Sequence, residues 1–122
     1  MEICGAGLRL STYALTNPTA GPSNPPTVGA YHYFGCQTEG TYSRALSEYA
    51  TAYDTMTLES CAADCAGYTY FGTEYGRECY CGDYFNAGSV PAPAGECDFM
   101  CAGDSMEYCG AGLRLTVYVT GA

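Results

Sequence analysis

Residues 57–82, TLESCAADCAGYTYFGTEYGRECYCG, carry the reading that decides the fold. The stretch opens as a short helix over 57–67. Thr57 is its N-cap, Glu59 suits the positive end of the dipole, and Gly67 supplies the C-terminal stop. Leu58, Cys61 and Cys65 recur at helical spacing, so one face carries both cysteines. Residues 68–82 then read as a β-hairpin around Thr73–Arg77. Cys79 and Cys81 stand two apart on its second strand and point to one side of the sheet. Two cysteines four apart on a helix, facing two cysteines two apart on a strand, invite a double bridge: Cys61–Cys79 and Cys65–Cys81.

Working outward, the chain of 122 residues has nine cysteines, and eight of them lie between Cys36 and Cys109. An even set at this density reads as a four-disulfide framework, which persists in an oxidising, extracellular setting. The four left over suggest Cys36–Cys97 and a local Cys101–Cys109, one choice among the 105 connectivities that eight cysteines allow. A zinc site would need two pairs of ligand spacing, usually with a histidine. The pairs here are C-x3-C, C-x-C and C-x3-C, and the single histidine, His32, is far upstream. No metal or cofactor is expected. Tyr31–Cys36 reads as an opening strand. A final strand, Leu113 to Val119, alternates Leu113, Leu115 and Val117 against Arg114, Thr116 and Tyr118, and is expected to pair with the opening one. A domain this small buries limited apolar area, and disulfides worth ~2–4 kcal/mol each compensate.

Four arginines, no lysine and thirteen carboxylates give a formal charge of −9. That surface repels nucleic acid and anionic lipid headgroups, so neither is an expected partner. No run of eighteen apolar residues is present, so no membrane insertion is expected in this segment, and no signal peptide opens the chain. Residues 1–13, MEICGAGLRLSTY, match residues 106–118, MEYCGAGLRLTVY, at ten of thirteen positions and a constant offset of 105. The N-terminus therefore reads as the tail of a preceding copy of the same repeat, with Cys4 the counterpart of Cys109 and unpaired within this chain. Residues 14–30 hold four of the six prolines and no charge. They read as an extended spacer whose hydroxyls suit O-glycans. No N-glycosylation site is present.

The order G-C…R-A-L…M-T-L-E-S-C-x3-C-x-x-Y-x-Y-F-G-x-E-Y-G-R-E-C-Y-C-G-D…C-x3-C-A-G-D…C-G-A-G-x-R-L-x-V-Y, from Phe34 to Tyr118, resembles a WSC domain, the cysteine-rich extracellular module of fungal cell-wall sensors and many secreted proteins. The resemblance implies a small disulfide-rich α+β fold over 31–119, with a twisted antiparallel sheet and one main helix, similar to PAN/apple domains. It implies four disulfides in the pairing given above, and an associated role in binding wall polysaccharides such as β-glucan.

Thirteen tyrosines and four phenylalanines are a heavy aromatic load for so small a core. An aromatic face can stack on the C–H side of a sugar while a phenol meets its hydroxyls. Tyr80, opposite Cys79 and Cys81, is a candidate outer-face ring. Tyr68 and Tyr70 are expected to share a face of the partner strand, with Tyr75 at the turn and Glu74, Arg77, Glu78 and Asp83 as hydrogen-bonding partners. Arg77 and Arg114 are expected to meet carboxylates. Catalytic motifs are absent: no G-x-S-x-G, no H-E-x-x-H, and Glu74 with Glu78 flank a turn rather than a cleft. Asp98, Asp104 and Glu107 lack the ligand spacing of a calcium loop. Two readings remain: a glycan-binding module in a tandem array, or a structural repeat that stacks head to tail with neighbouring copies in a stalk or filament.

Overall fold

A computed structural model describes residues 21–120 of the chain. The duplicated segment 1–13, Cys4 and the first part of the expected spacer lie outside the described residues. In chain order the elements are β1 (Thr27–Val28), β2 (Tyr31–Thr38), β3 (Tyr49–Ala52), α1 (Leu58–Asp64), β4 (Tyr70–Glu74), β5 (Glu78–Gly82), β6 (Pro91–Ala92), β7 (Met100–Cys101), β8 (Asp104–Tyr108) and β9 (Arg114–Thr120). An antiparallel sheet runs β1-β2-β9-β4-β5-β3, with β6 pairing the far end of β2, and β7 and β8 form a separate ribbon.

The helix forms where the sequence places its cap. Thr57 accepts from the Ser60 backbone N–H, and Ser60 Oγ accepts from the Thr57 N–H, a reciprocal capping box. Its α-helical part ends at Asp64, and Gly67, at φ +96°, turns the chain away. Cys61 and Cys65 face β5, and the bridges are Cys61–Cys79, Cys65–Cys81, Cys36–Cys97 and Cys101–Cys109.

The sheet buries both faces. On the helix side Tyr31, Phe71 and Tyr118 pack with Met56, Leu58 and the cysteines. Tyr31 meets Phe71 edge-on at 4.8 Å, and Phe71 stacks on Tyr118 at 5.0 Å. The Tyr31 hydroxyl donates to the Cys65 carbonyl at 2.7 Å and lies 2.8 Å from that of Tyr68, tying β2 to the end of α1. On the outer side a smaller core joins Ala45, Leu46, Tyr80, Leu115 and Val117. Residues 39–48 are folded over it, and the absence of side chains at Gly72 and Gly82 makes room: a Cβ at either position would come 3.3 Å from Leu46.

Two expectations need correction. The final strand starts at Arg114, not Leu113, which sits in a turn at φ +59°. Both alternating sets of this strand are buried, Leu115 and Val117 on one side and Thr116 and Tyr118 on the other, because β9 is a central strand with a core on each side. The spacer does not extend to residue 30. Ser23 exchanges backbone hydrogen bonds with Met106 and Tyr108, Pro25 and Pro26 carbonyls accept from the Tyr118 hydroxyl and the Tyr33 N–H, and Val28 is buried in the core. Proline removes a donor but leaves its carbonyl free to accept, so this segment joins the fold through its acceptors.

Candidate functional site

The outer face of the sheet carries a group of partly exposed aromatic rings near the Tyr31–Thr120 end. The register of β2 on β9 shifts between Tyr33 and Gly35, leaving Phe34 as the extra residue of a bulge. Its ring, 45% exposed, meets Tyr70 of β4 edge-on at 5.6 Å and Phe85 at 5.5 Å. Tyr70 and Phe85 lie 4.5 Å apart, half-buried against the outer core. Polar groups stand next to Tyr70 and Phe85 in the chain. Asp83 accepts from the Thr69 N–H at 2.9 Å and its hydroxyl at 3.1 Å, and Tyr84 beside it is exposed. The arrangement offers aromatic faces for C–H stacking, with the Tyr70 phenol able to meet hydroxyls.

The residues singled out from sequence divide between several places. Tyr70 belongs to this surface, whereas the Asp83 carboxylate is bonded to Thr69 and adds its charge to the burial that raises Tyr31 on the helix side. Tyr68 does not share a face with Tyr70: it precedes β4 and packs on the helix-side core. Tyr80 is on the side opposite the bridged cysteines, as expected, but it is 8% exposed, because residues 39–48 cover it. Glu74 is fully buried and cannot face a ligand. Glu78 accepts from the Tyr80 hydroxyl at 2.7 Å. Tyr75, exposed at φ +56°, and Arg77, paired with Asp54 at 2.8 Å, stand at the far end of the hairpin. Arg114 pairs with Glu96. Phe34, Tyr84 and Phe85 were not among the sequence candidates. The available signal was Phe34-Gly35 inside a strand, since glycine in a strand interior marks a bulge.

Two carboxyl clusters lie away from this surface. Under the 39–48 segment Arg44 bonds Glu39 at 2.6 Å and lies 3.3 Å from Glu74. Burial, and then the hydrogen bond and charge of Glu39, push Glu74 up to about 9. Burial acts to raise Glu39 too, but hydrogen bonds with Glu74, the Ala45 N–H and Arg44 outweigh it and hold Glu39 below its ordinary value. At the start of α1, carboxylate oxygens of Glu59, Asp104 and Glu107 come within 4.8 Å of one another. Glu107 accepts the Leu58 N–H at 3.1 Å, and burial followed by its hydrogen bond with Glu59 raises it to about 7. Glu107 thus serves as an acceptor for the first turn of α1.

The chain matches the family model of the WSC domain over residues 33–111. The chain belongs to the WSC domain family. A WSC domain-containing protein of Arthroderma benhamiae is 48% identical over 96 residues, covering 79% of this chain and 13% of the relative. A putative fungistatic metabolite of Chaetomium globosum is 38% identical over 125 residues, 96% of this chain and 56% of the relative. A xylosyltransferase of Drosophila pseudoobscura pseudoobscura is 31% identical over 114 residues, 89% of this chain and 12% of the relative. The chain thus spans about half or less of the length of these relatives. What it shares with the xylosyltransferase is the WSC region, in itself a non-catalytic module. The matched stretch of this WSC domain takes in Phe34, Tyr70, Asp83, Tyr84 and Phe85, all eight cysteines from Cys36 to Cys109, and stops before the central strand β9.

Proposed function

We propose that this WSC domain is a secreted or cell-surface, non-catalytic module that binds a neutral polysaccharide of a wall or matrix on the Phe34–Tyr70–Phe85 surface. The observation that carries the reading is that cluster of three mutually packed rings. They are held partly open to solvent on a sheet cross-linked by disulfides, so little side-chain entropy is lost on binding. A formal charge of −9 disfavours anionic polymers and leaves neutral, hydroxyl-rich chains such as β-glucan as the fitting class. The sequence duplication supports a second, compatible reading in which several copies act in one chain, and weak sites then gain avidity through linkage.

Retention on insoluble neutral β-glucan, xylan and chitin tests this. Phe34→Ala and Tyr70→Ala are each expected to weaken retention on the preferred polymer about tenfold, equivalent to ~1.4 kcal/mol. Tyr42→Asn, at a fully exposed position with positive φ, should bind like the parent. Equal retention by the Phe34 and Tyr70 variants moves the site elsewhere. A parent protein that binds none of these polymers overturns the glycan reading.

A further inference from the structure

The groove between α1 and the β1–β2 turn has a volume of about 420 Å³. Ala30 and Tyr31 form one wall, Ala62, Ala63 and Ala66 the other, and Thr120 closes its end. Alanines on both walls leave a slot for larger side chains, with the Tyr31 ring and Glu59 also lining it. We propose that this groove receives the opposite end of the next copy of the same domain, so that consecutive copies dock head to tail. The proposal does not depend on the glycan reading.

The strand register fixes what lies at the two ends. Tyr31 pairs with Thr120 and Tyr70 with Val119 at the groove end, while Thr38 pairs with Arg114 and Glu74 with Glu78 at the other. The second end displays exposed Tyr75, Phe99, Met100 and Leu113. These residues are neighbours: the rings of Tyr75 and Phe99 are 6.5 Å apart, a Cβ on Gly76 would lie 2.8 Å from the Met100 carbonyl, and one on Gly112 would touch the Tyr75 ring. An apolar projection and an apolar slot therefore occupy opposite ends of one small domain, about 20 Å apart along β9.

The chain path brings one copy's slot to the next copy's projection. Ser23 enters the fold beside Met106 and Tyr108, close to Cys109, whose carbonyl accepts from the Gly76 N–H at the projecting end. β9 leaves at Thr120, in the wall of the groove. The sequence also contains the junction between copies. At the offset of 105 that relates residues 1–13 to 106–118, Thr120 corresponds to Leu15. Only residues 16–22 then separate the exit of one copy from the Ser23 of the next. Eight extended residue steps span at most ~29 Å. The tether holds the projecting end of each copy within reach of the preceding groove, at an effective concentration in the ~mM range, where even a modest apolar contact is occupied.

A two-copy protein tests the proposal: residues 1–120 of this chain followed directly by residues 16–122, which reproduces the spacing at that junction. Small-angle scattering is expected to show a rod with one fixed inter-domain distance. Ala63→Arg in the first copy, filling the groove, or Leu113→Asn in the second should each convert it to a flexible pair with a broad distance distribution. Combining them should add nothing. Both positions are exposed, and Asn is at ease at the positive φ of residue 113, so the melting temperature of the 122-residue chain with either change should stay within a few degrees. If Ala63→Arg unfolds the chain, Leu113→Asn alone decides. A parent pair as flexible as the variants, or a rod that survives Leu113→Asn, overturns head-to-tail docking through this groove.

Discussion

The guanidinium of Arg44 lies over the ring of Tyr80, 5.0 Å from its centroid. Arg44 belongs to the segment folded over the outer face, and Tyr80 to β5, which the disulfides hold to α1. The contact closes one edge of the outer core, where the Tyr80 ring packs with Leu46, Leu115 and Val117.

Removing that ring leaves a cavity rather than an altered surface. Tyr80→Ala is expected to lower unfolding free energy by ~3 kcal/mol, in the range of large-to-small aromatic truncations. Urea unfolding of parent and variant measures it. A loss under ~0.5 kcal/mol would show that residues 39–48 contribute little to stability.

Glu74 makes stability depend on pH. Its carboxyl titrates near 4.5 when unfolded and at about 9 when folded. Between those values the folded state holds the extra proton, so this group's contribution is most favourable below 4.5 and falls as pH rises towards 9. Glu107, raised to about 7, acts in the same direction over the lower part of the window. Glu74→Gln keeps the shape and cannot ionise. It should stabilise the domain at pH 8 by at least ~1 kcal/mol, or about 4–8 °C in Tm, and flatten the decline. Melting curves at pH 4, 6 and 8 check this; parallel declines for both proteins would mean Glu74 is not the source.

The disulfides carry a large part of the stability. Their sequence separations are 61, 18, 16 and 8 residues, and closing the longest loop restricts the unfolded chain most. Full reduction is expected to remove more than ~5 kcal/mol and abolish the cooperative melt at neutral pH. Calorimetry on protein whose thiols all react with alkylating reagent tests it. A sharp transition in that sample would mean the two apolar cores suffice alone.

Much of the helix-side architecture is local information. The cap at Thr57, the i, i+4 cysteines of α1 and the i, i+2 cysteines of β5 all lie within 26 residues, where helical and strand periodicities can be read directly. The aromatic surface was half legible. Tyr70 sits in the same stretch, whereas Phe34 and Phe85 reach it only through the β2–β9–β4 pairing and the loop after β5.

The sequence by itself determined the cysteine framework, the family, and the short helix and hairpin, because each rests on spacing along the chain. Tertiary structure alone decided which side chains meet solvent. Alternation assigns a residue to one side of a strand but does not say what covers that side. The fold of residues 39–48 over Tyr80 and Glu74 turned expected surface into core and left Phe34, Tyr70 and Phe85 as the open aromatic face.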